Sequence, residues 1–231
     1  MIKSAFTTLL LFTHVSVYCL DIQNPSKDKL LIEIISYVLN KGHYSPSQIN
    51  DQFSEEVYKN FLNGVDSRHL FFIKSDIDFF DSFKFEIDDQ IKMSKIEFFN
   101  LSHQRYLQRL EQVKSFYPSL LNQSFDFSID EKIDLDFENT SYSKSLSELK
   151  KQWRKFLKFN ALGIYSNLKE DENRKKEKNP EYNLKADKEI EIETRKVLKD
   201  DMKYFFEARN DLNRNDYFSI YVNSIALQFD P

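Results

Sequence analysis

Reaction centres are built from a few residue types at restrictive spacings, and this chain offers few of them. His43, His69 and His103 never form the paired helical spacing that a zinc peptidase requires. His103 falls on the apolar face of a helical stretch, which predicts a hydrogen-bonded core histidine, while His43 and His69 stand beside predicted turns. Cys19 is the single cysteine of the chain, so neither a disulfide nor a thiolate metal site can be assembled. Phosphate-cradling loops need clustered glycines to bring the backbone close to an anion, but Gly42, Gly64 and Gly163 lie far apart. The Gly-x-Ser-x-Gly elbow of hydrolases is missing. A Ser/Lys dyad cannot be recognised without its surrounding motif.

Carboxylates are the remaining candidates. Asp76, Asp78 and Asp81 cluster, as do Asp88 with Asp89, and Asp130, Glu131, Asp134 and Asp136. Two opposed carboxylates could run a glycosidase. A calcium loop would need a glycine at its sharp turn and a distal glutamate in register, which these stretches lack. Capping accounts for Asp76 and Asp78, and solvated faces account for the rest. Asn100, Asn122 and Asn139 begin glycosylation sequons. Trp153, with Lys150, Lys151, Arg154 and Lys155 around it, predicts a core anchor beneath a basic outer face, with a ligand platform as the alternative. The expectation is no catalytic residue, no cofactor and no metal.

The elements that would position these groups are helical. With 22 phenylalanines but only 3 glycines and 5 prolines in 231 residues, the chain suits long helices better than a many-turned sandwich or barrel. A formal charge of −4 with no basic stripe argues against a nucleic-acid partner. Lys3 precedes an apolar run from Ala5 to Tyr18 that is too short to cross a bilayer. That layout is a secretory signal, so residues 1–19 are expected to be removed between Cys19 and Leu20. Lipidation at Cys19 is the less favoured alternative, because bulky Tyr18 precedes it. No other apolar run suits a membrane span, and the mature protein is expected to be soluble and exported to the periplasm.

Leu30, Leu31, Ile34, Ile35, Val38 and Leu39 make a double stripe on a first helix closed by Gly42. Phe53, Val57, Phe61 and Leu62 mark a second, capped by Asn50 or Ser54, with Gly64 past its end. Ser75 and Asp78 read as a capping box opening one helix through Ile77, Phe80, Phe83, Ile87 and Ile91. A further helix carries Ile96, Phe99, Tyr106, Leu110 and Val113 and is stopped by Pro118. Residues 125–137 alternate through Phe125, Phe127, Ile129, Ile133, Leu135 and Phe137, which predicts an acidic extended arm or a short strand pair. Ser145 and Glu148 form a capping box for a helix with Leu149, Trp153, Phe156, Leu157, Ile164 and Leu168. Residues 169–183 read as a charged linker or frayed helix end. Ile190, Val197, Leu198, Met202, Phe205 and Phe206 point inward from the next helix, and Tyr217, Tyr221 and Ile225 from the last.

Three stretches, in order, resemble the N-terminal region of tail-specific (C-terminal-processing) proteases. The first holds His43, Tyr44, Asp66, Arg68, Ser75 and Asp76 around Leu70-Phe71-Phe72. Here Val65 and Ser67 stand where the family usually has Leu and Pro around the Asp, and Arg68 is one place out of register. The second joins the acidic arm to Trp153-Arg154-Lys155. The third runs from Asp216-Tyr217-Phe218 to Phe229-Asp230-Pro231. The resemblance implies one helical domain over residues 20–231 without the family's PDZ and peptidase domains. Its Ser/Lys machinery lies downstream, so no residue here inherits a catalytic role. It further implies a scaffold that shapes the path of substrate access, with the downstream domains, protein substrates and an adaptor protein as partners. Two rival readings are a free-standing secreted adaptor and a lone carboxylate hydrolase.

Overall fold

The computed structural model describes residues 25–41, 48–137 and 140–229. The expected cleavage site at Cys19 and Leu20, together with Gly42, His43, Tyr44, Asn139, Asp230 and Pro231, lies outside them, as does the side chain of Leu39. Among the described residues eight α-helices follow one another: α1 (Pro25–Lys41), α2 (Asp51–Asp66), α3 (Lys74–Phe80), α4 (Ile87–Lys92), α5 (Glu97–Leu121), α6 (Leu146–Lys178), α7 (Asp187–Asn210) and α8 (Arg214–Ala226). The described residues contain no β-strand, only one bridge between Ile73 and Ser143. The fold is all-α, as the sequence predicts. None of these helices is long and apolar enough to cross a membrane.

Helix α5 contacts α3, α6, α7 and α8, while α2 packs on α4 and α8, and α6 on α7. Two aromatic clusters fill the spaces between. In one, Phe61 meets Phe98, Phe99 and Tyr221 edge-on at centroid distances of 5.6, 6.0 and 5.4 Å. In the other, Trp153 meets Phe156 at 5.5 Å and Phe206 at 5.8 Å, and Tyr117 stacks on Phe206 at 4.4 Å. Tyr106 joins them, 5.1 Å from Phe71 and 5.4 Å from Tyr217. Edge-to-face rings add to their area burial, which suits a phenylalanine-rich chain.

Several local readings change once packing is seen. Asn50 is the cap of α2, its Oδ1 accepting from Phe53 N at 3.1 Å. Ser54 is instead buried, and its hydroxyl both donates to Asp88 Oδ1 and accepts from Asp88 N, each at 2.8 Å. Gly64 lies inside α2, where a Cβ would stand 2.7 Å from Ile220 Cγ2. It permits the close crossing of α2 and α8 rather than ending a helix. The single helix expected from Ser75 to Ile91 breaks into α3, a 3₁₀ turn at Asp81–Phe83, and α4. Ser75 is exposed within α3, and Asp78 pairs with Lys74. Pro118 does not stop α5. It forfeits one bond a single turn before the end, and burial of Leu120 and Leu121 carries the helix on.

The apolar stripe of α1 is mostly exposed: Leu30, Leu31, Ile34 and Val38 face solvent while Ile32 and Asp28 are buried. Asp28 meets Arg214 at 2.5 Å, and that ion pair fixes which side of α1 turns inward. Val197 likewise faces outward from α7. His103 is held by rings, 5.7 Å from Phe99 and 4.8 Å from Tyr217. Burial, then the Arg214 charge, pushes its imidazole down to about 4.

The charged stretch at 169–178 is not a linker. It is the last part of α6, and a loop over 179–186 follows. Buried Glu172 explains the extra turns, because it accepts from Tyr182 Oη at 3.0 Å and from Lys185 N at 3.0 Å. The loop thereby folds back onto the helix that precedes it.

Candidate functional site

Of the residues shared with the resembled motifs, Asp66, Asp76 and Trp153 converge on one turn, residues 67–73, between α2 and α3. Asp66 ends α2, and its carboxylate is 3% exposed. Past a helix end the backbone loses its i−4 partners, so the amides that follow need acceptors. Asp66 supplies them, accepting from Leu70 N at 2.8 Å, Phe71 N at 3.0 Å and Phe72 N at 2.8 Å. Burial raises this carboxyl to about 7, against the downward pull of those three amides.

Closing the turn places His69 at φ 50°, in the left-handed region that a side chain rarely adopts. Its amide donates to Asp66 O at 3.0 Å. Phe71 and Phe72 then enter the aromatic core.

The far end of the turn is fixed by a second buried carboxylate. Asp76 accepts from Ile73 N at 3.0 Å, closing the first turn of α3. It receives Arg109 through Nε at 2.7 Å and Nη2 at 2.8 Å, and Arg105 through Nη1 at 2.5 Å. Burial raises its pKa, but the Arg109 and amide bonds outweigh that and hold it below the ordinary value. A bidentate guanidinium is the geometry that makes burial of such a pair tolerable. The two arginines recur at i and i+4 around apolar Tyr106 and Leu110. That was the sequence signal for this lock, and the capping reading of Asp76 found only half of it.

Trp153 completes the suture. It is fully buried, and its Nε1 donates to Leu70 O at 2.6 Å, fastening α6 to the turn. The core-anchor reading therefore holds and the ligand platform does not. Arg68 lies with its guanidinium 5.9 Å from the Phe156 ring centre. Asp66, Asp76 and Trp153 are thus brought together, Arg68 flanks them, and Ser75 is left on the surface.

Beside the turn runs the acidic arm, extended and irregular rather than paired into strands. Phe125 N donates to Glu191 at 2.9 Å, and Phe127 packs on Tyr165 at 4.7 Å. Glu131 meets Arg154 and Lys158, which draw its carboxyl down to about 2. Lys158 and Lys155 also donate to Ile129 O and Lys132 O at 2.9 and 3.0 Å. So the basic face of α6 beside Trp153 grips the arm. Between arm and helix lie two shallow cavities of about 260 and 320 Å³ that share Lys132, Ile133 and Lys155. Past Phe137 the chain returns to the turn, where Lys74 N donates to Ser143 O at 2.8 Å.

Chemically this is a joint. The oxygens of Asp66 and Asp76 are filled by amide and guanidinium donors, so neither faces a substrate as a base or nucleophile. Asp130, Asp134 and Asp136 stay on the exposed arm. Among the described residues no three His, Cys, Asp or Glu side chains converge to hold a metal ion.

A family model described as the tail-specific protease N-terminal domain matches residues 35–231. A curated tail-specific protease of Haemophilus influenzae (strain ATCC 51907 / DSM 11121 / KW20 / Rd) is 22% identical over 194 residues. That alignment covers 84% of this chain and 25% of the relative, so the chain spans about a quarter of that protein's length. With the joint around Asp66, Asp76 and Trp153 lying inside the matched region, the chain belongs to the tail-specific protease N-terminal domain family.

Proposed function

We propose that this chain is the non-catalytic N-terminal part of an exported, periplasmic serine protease that degrades proteins from their C-termini. It would work as a scaffold, helping to shape the path by which substrate reaches the peptidase. Its partners would be PDZ and peptidase domains of the parent enzyme, protein substrates and an adaptor protein. The observation that carries this reading is the joint itself. Every buried acid around the turn is consumed in fixing helices to one another, as a scaffold requires and a reaction centre does not.

The purified chain incubated with an unstructured protein should leave it intact. Turnover that Asp76→Asn or Asp134→Asn removes would overturn the non-catalytic reading. Reading the gene past Pro231 tests the parentage: PDZ and peptidase coding in frame supports the scaffold, whereas an immediate stop with neither nearby favours a free-standing adaptor. For export, alkaline phosphatase fused after residue 40 should be active in cells, and an inactive fusion would remove the periplasmic assignment.

A further inference from the structure

His69 has more asked of it than closing a turn. A left-handed backbone favours glycine or asparagine, yet the chain places an imidazole there. The ring stacks on Tyr142, with centroids 3.8 Å apart and planes 26° apart. Its Nδ1 is buried without a hydrogen-bond partner. Tyr142 lies on the segment that returns from the arm, one residue before Ser143, whose carbonyl accepts the Lys74 amide and which bridges Ile73. The stack and the bridge therefore hold the same short stretch. Beneath it is a cavity of about 560 Å³, walled by His69, Tyr142, Thr140 and Phe137 on one side and by α2 on the other.

Protonation would change this contact in a defined way. An imidazolium has a donor on both nitrogens, and at His69 one of them would be a buried N–H with nothing to accept it. A neutral ring avoids that penalty and the desolvation of a charge. Stacking on Tyr142 gives a cation only a partial return.

We propose that His69 is an acid-released latch, whose neutral ring pins the end of the arm to the α2–α3 turn and whose protonation frees that end and uncovers the cavity. The direction agrees with burial holding the ring below its ordinary pKa, against a smaller upward pull from the Thr140 backbone. An imidazole whose docked pKa is depressed stabilises docking fully above its free value. That stability is lost as pH falls from the free value towards the docked one.

The surrounding charges do not reproduce this sign. On α2, Glu55 pairs with Lys84 at 2.6 Å, and Glu56 and Lys59 are exposed. Tyr58 donates to Asp81 at 2.9 Å, and burial raises its hydroxyl's pKa, so it stays neutral. Burial also raises Tyr142. Arg68 lies over Phe156. Asp66, raised to about 7, takes up its proton in the folded state and so favours the closed form as pH falls. It opposes the latch and can be told apart from it.

Hydrogen exchange followed by mass spectrometry, corrected for intrinsic rates, tests the latch on the intact chain. From pH 7.5 to 5, protection of the peptide around residues 140–144 should fall tenfold or more, while α5 amides stay protected. His69→Asn and His69→Gly, which suit the backbone and cannot titrate, should show no fall in protection at residues 140–144, leaving at most the opposite response of Asp66. A flat wild-type profile would overturn the proposal, as would a fall of equal size in either variant. Should neither variant fold, an NMR titration of the His69 ring decides. A ring pKa below the ordinary value, with Tyr142 signals moving in step, supports the latch, and one at or above that value refutes it.

Discussion

Helix α1 and the 67–73 turn reverse what their sequences suggest. The helix carries a dense apolar stripe, yet Leu30 is 54% exposed and Val38 53%, and its firm attachments are Ile32 and the Asp28–Arg214 pair. The turn contains Arg68 and lies between Asp66 and Asp76, all residue types that ordinarily face solvent. It is nevertheless where α2, α3, α5 and α6 are tied together. Apolar patterning shows that a helix has a face to bury, but it does not show that a neighbour is available. Buried carboxylates are informative for the opposite reason, since they survive only where donors are already in place.

That contrast can be broken experimentally. The largest effect should come from Trp153→Ala, which removes a fully buried ring and its bond to Leu70, and should cost about 3–5 kcal/mol in chemical unfolding. Unchanged unfolding would detach the turn from α6. Asp76→Ala leaves the buried Arg109 guanidinium unpaired and should cost about 3 kcal/mol, an effect that added salt will not reproduce. If its cost stayed below that of an exposed pair such as Lys185–Glu193, the buried lock would not be what fixes α3 to α5.

Ile32→Ala should cost about 2 kcal/mol, whereas Leu30→Ala and Ile34→Ala should each change stability by no more than about 0.5 kcal/mol. Equal costs across those three would mean that the exposed stripe is covered after all. The smallest pair sharpens the comparison further. Gly163→Ala meets no atom within 4 Å and should stabilise α6 by about 0.5–1 kcal/mol. Gly64→Ala must displace Ile220 and should destabilise by about 1 kcal/mol despite the same gain in helix propensity. Thermal melts of the two variants should therefore move in opposite directions.

The helices were legible because periodicity is local: Leu149, Trp153 and Leu157 repeat at four and all reach the core. So was the Ser145 cap, whose hydroxyl accepts from Glu148 N at 3.2 Å, although Glu148 returns its bond to Lys144 rather than to Ser145. Breaks and continuations were harder to read. Nothing local in the stretch from Ile77 to Ile91 announces a 3₁₀ turn, and Pro118 sent a stop signal that packing overrode. In the site, Asp66, Asp76 and Trp153 were named without their shared location. Asp76 meets Arg105 and Arg109 at separations of 29 and 33 residues and Trp153 meets Leu70 at 83, beyond any local pattern.

By itself the sequence determined that this protein would be helical and rich in aromatic core, and it carried the motifs by which its family is recognised. These depend on residue type and on spacings of a few positions, which backbone geometry reads directly. Tertiary structure alone decided which apolar stripe is covered, which acids are buried, and that a histidine closes the turn against the arm. Those outcomes depend on what stands opposite each side chain, and only the assembled chain supplies it.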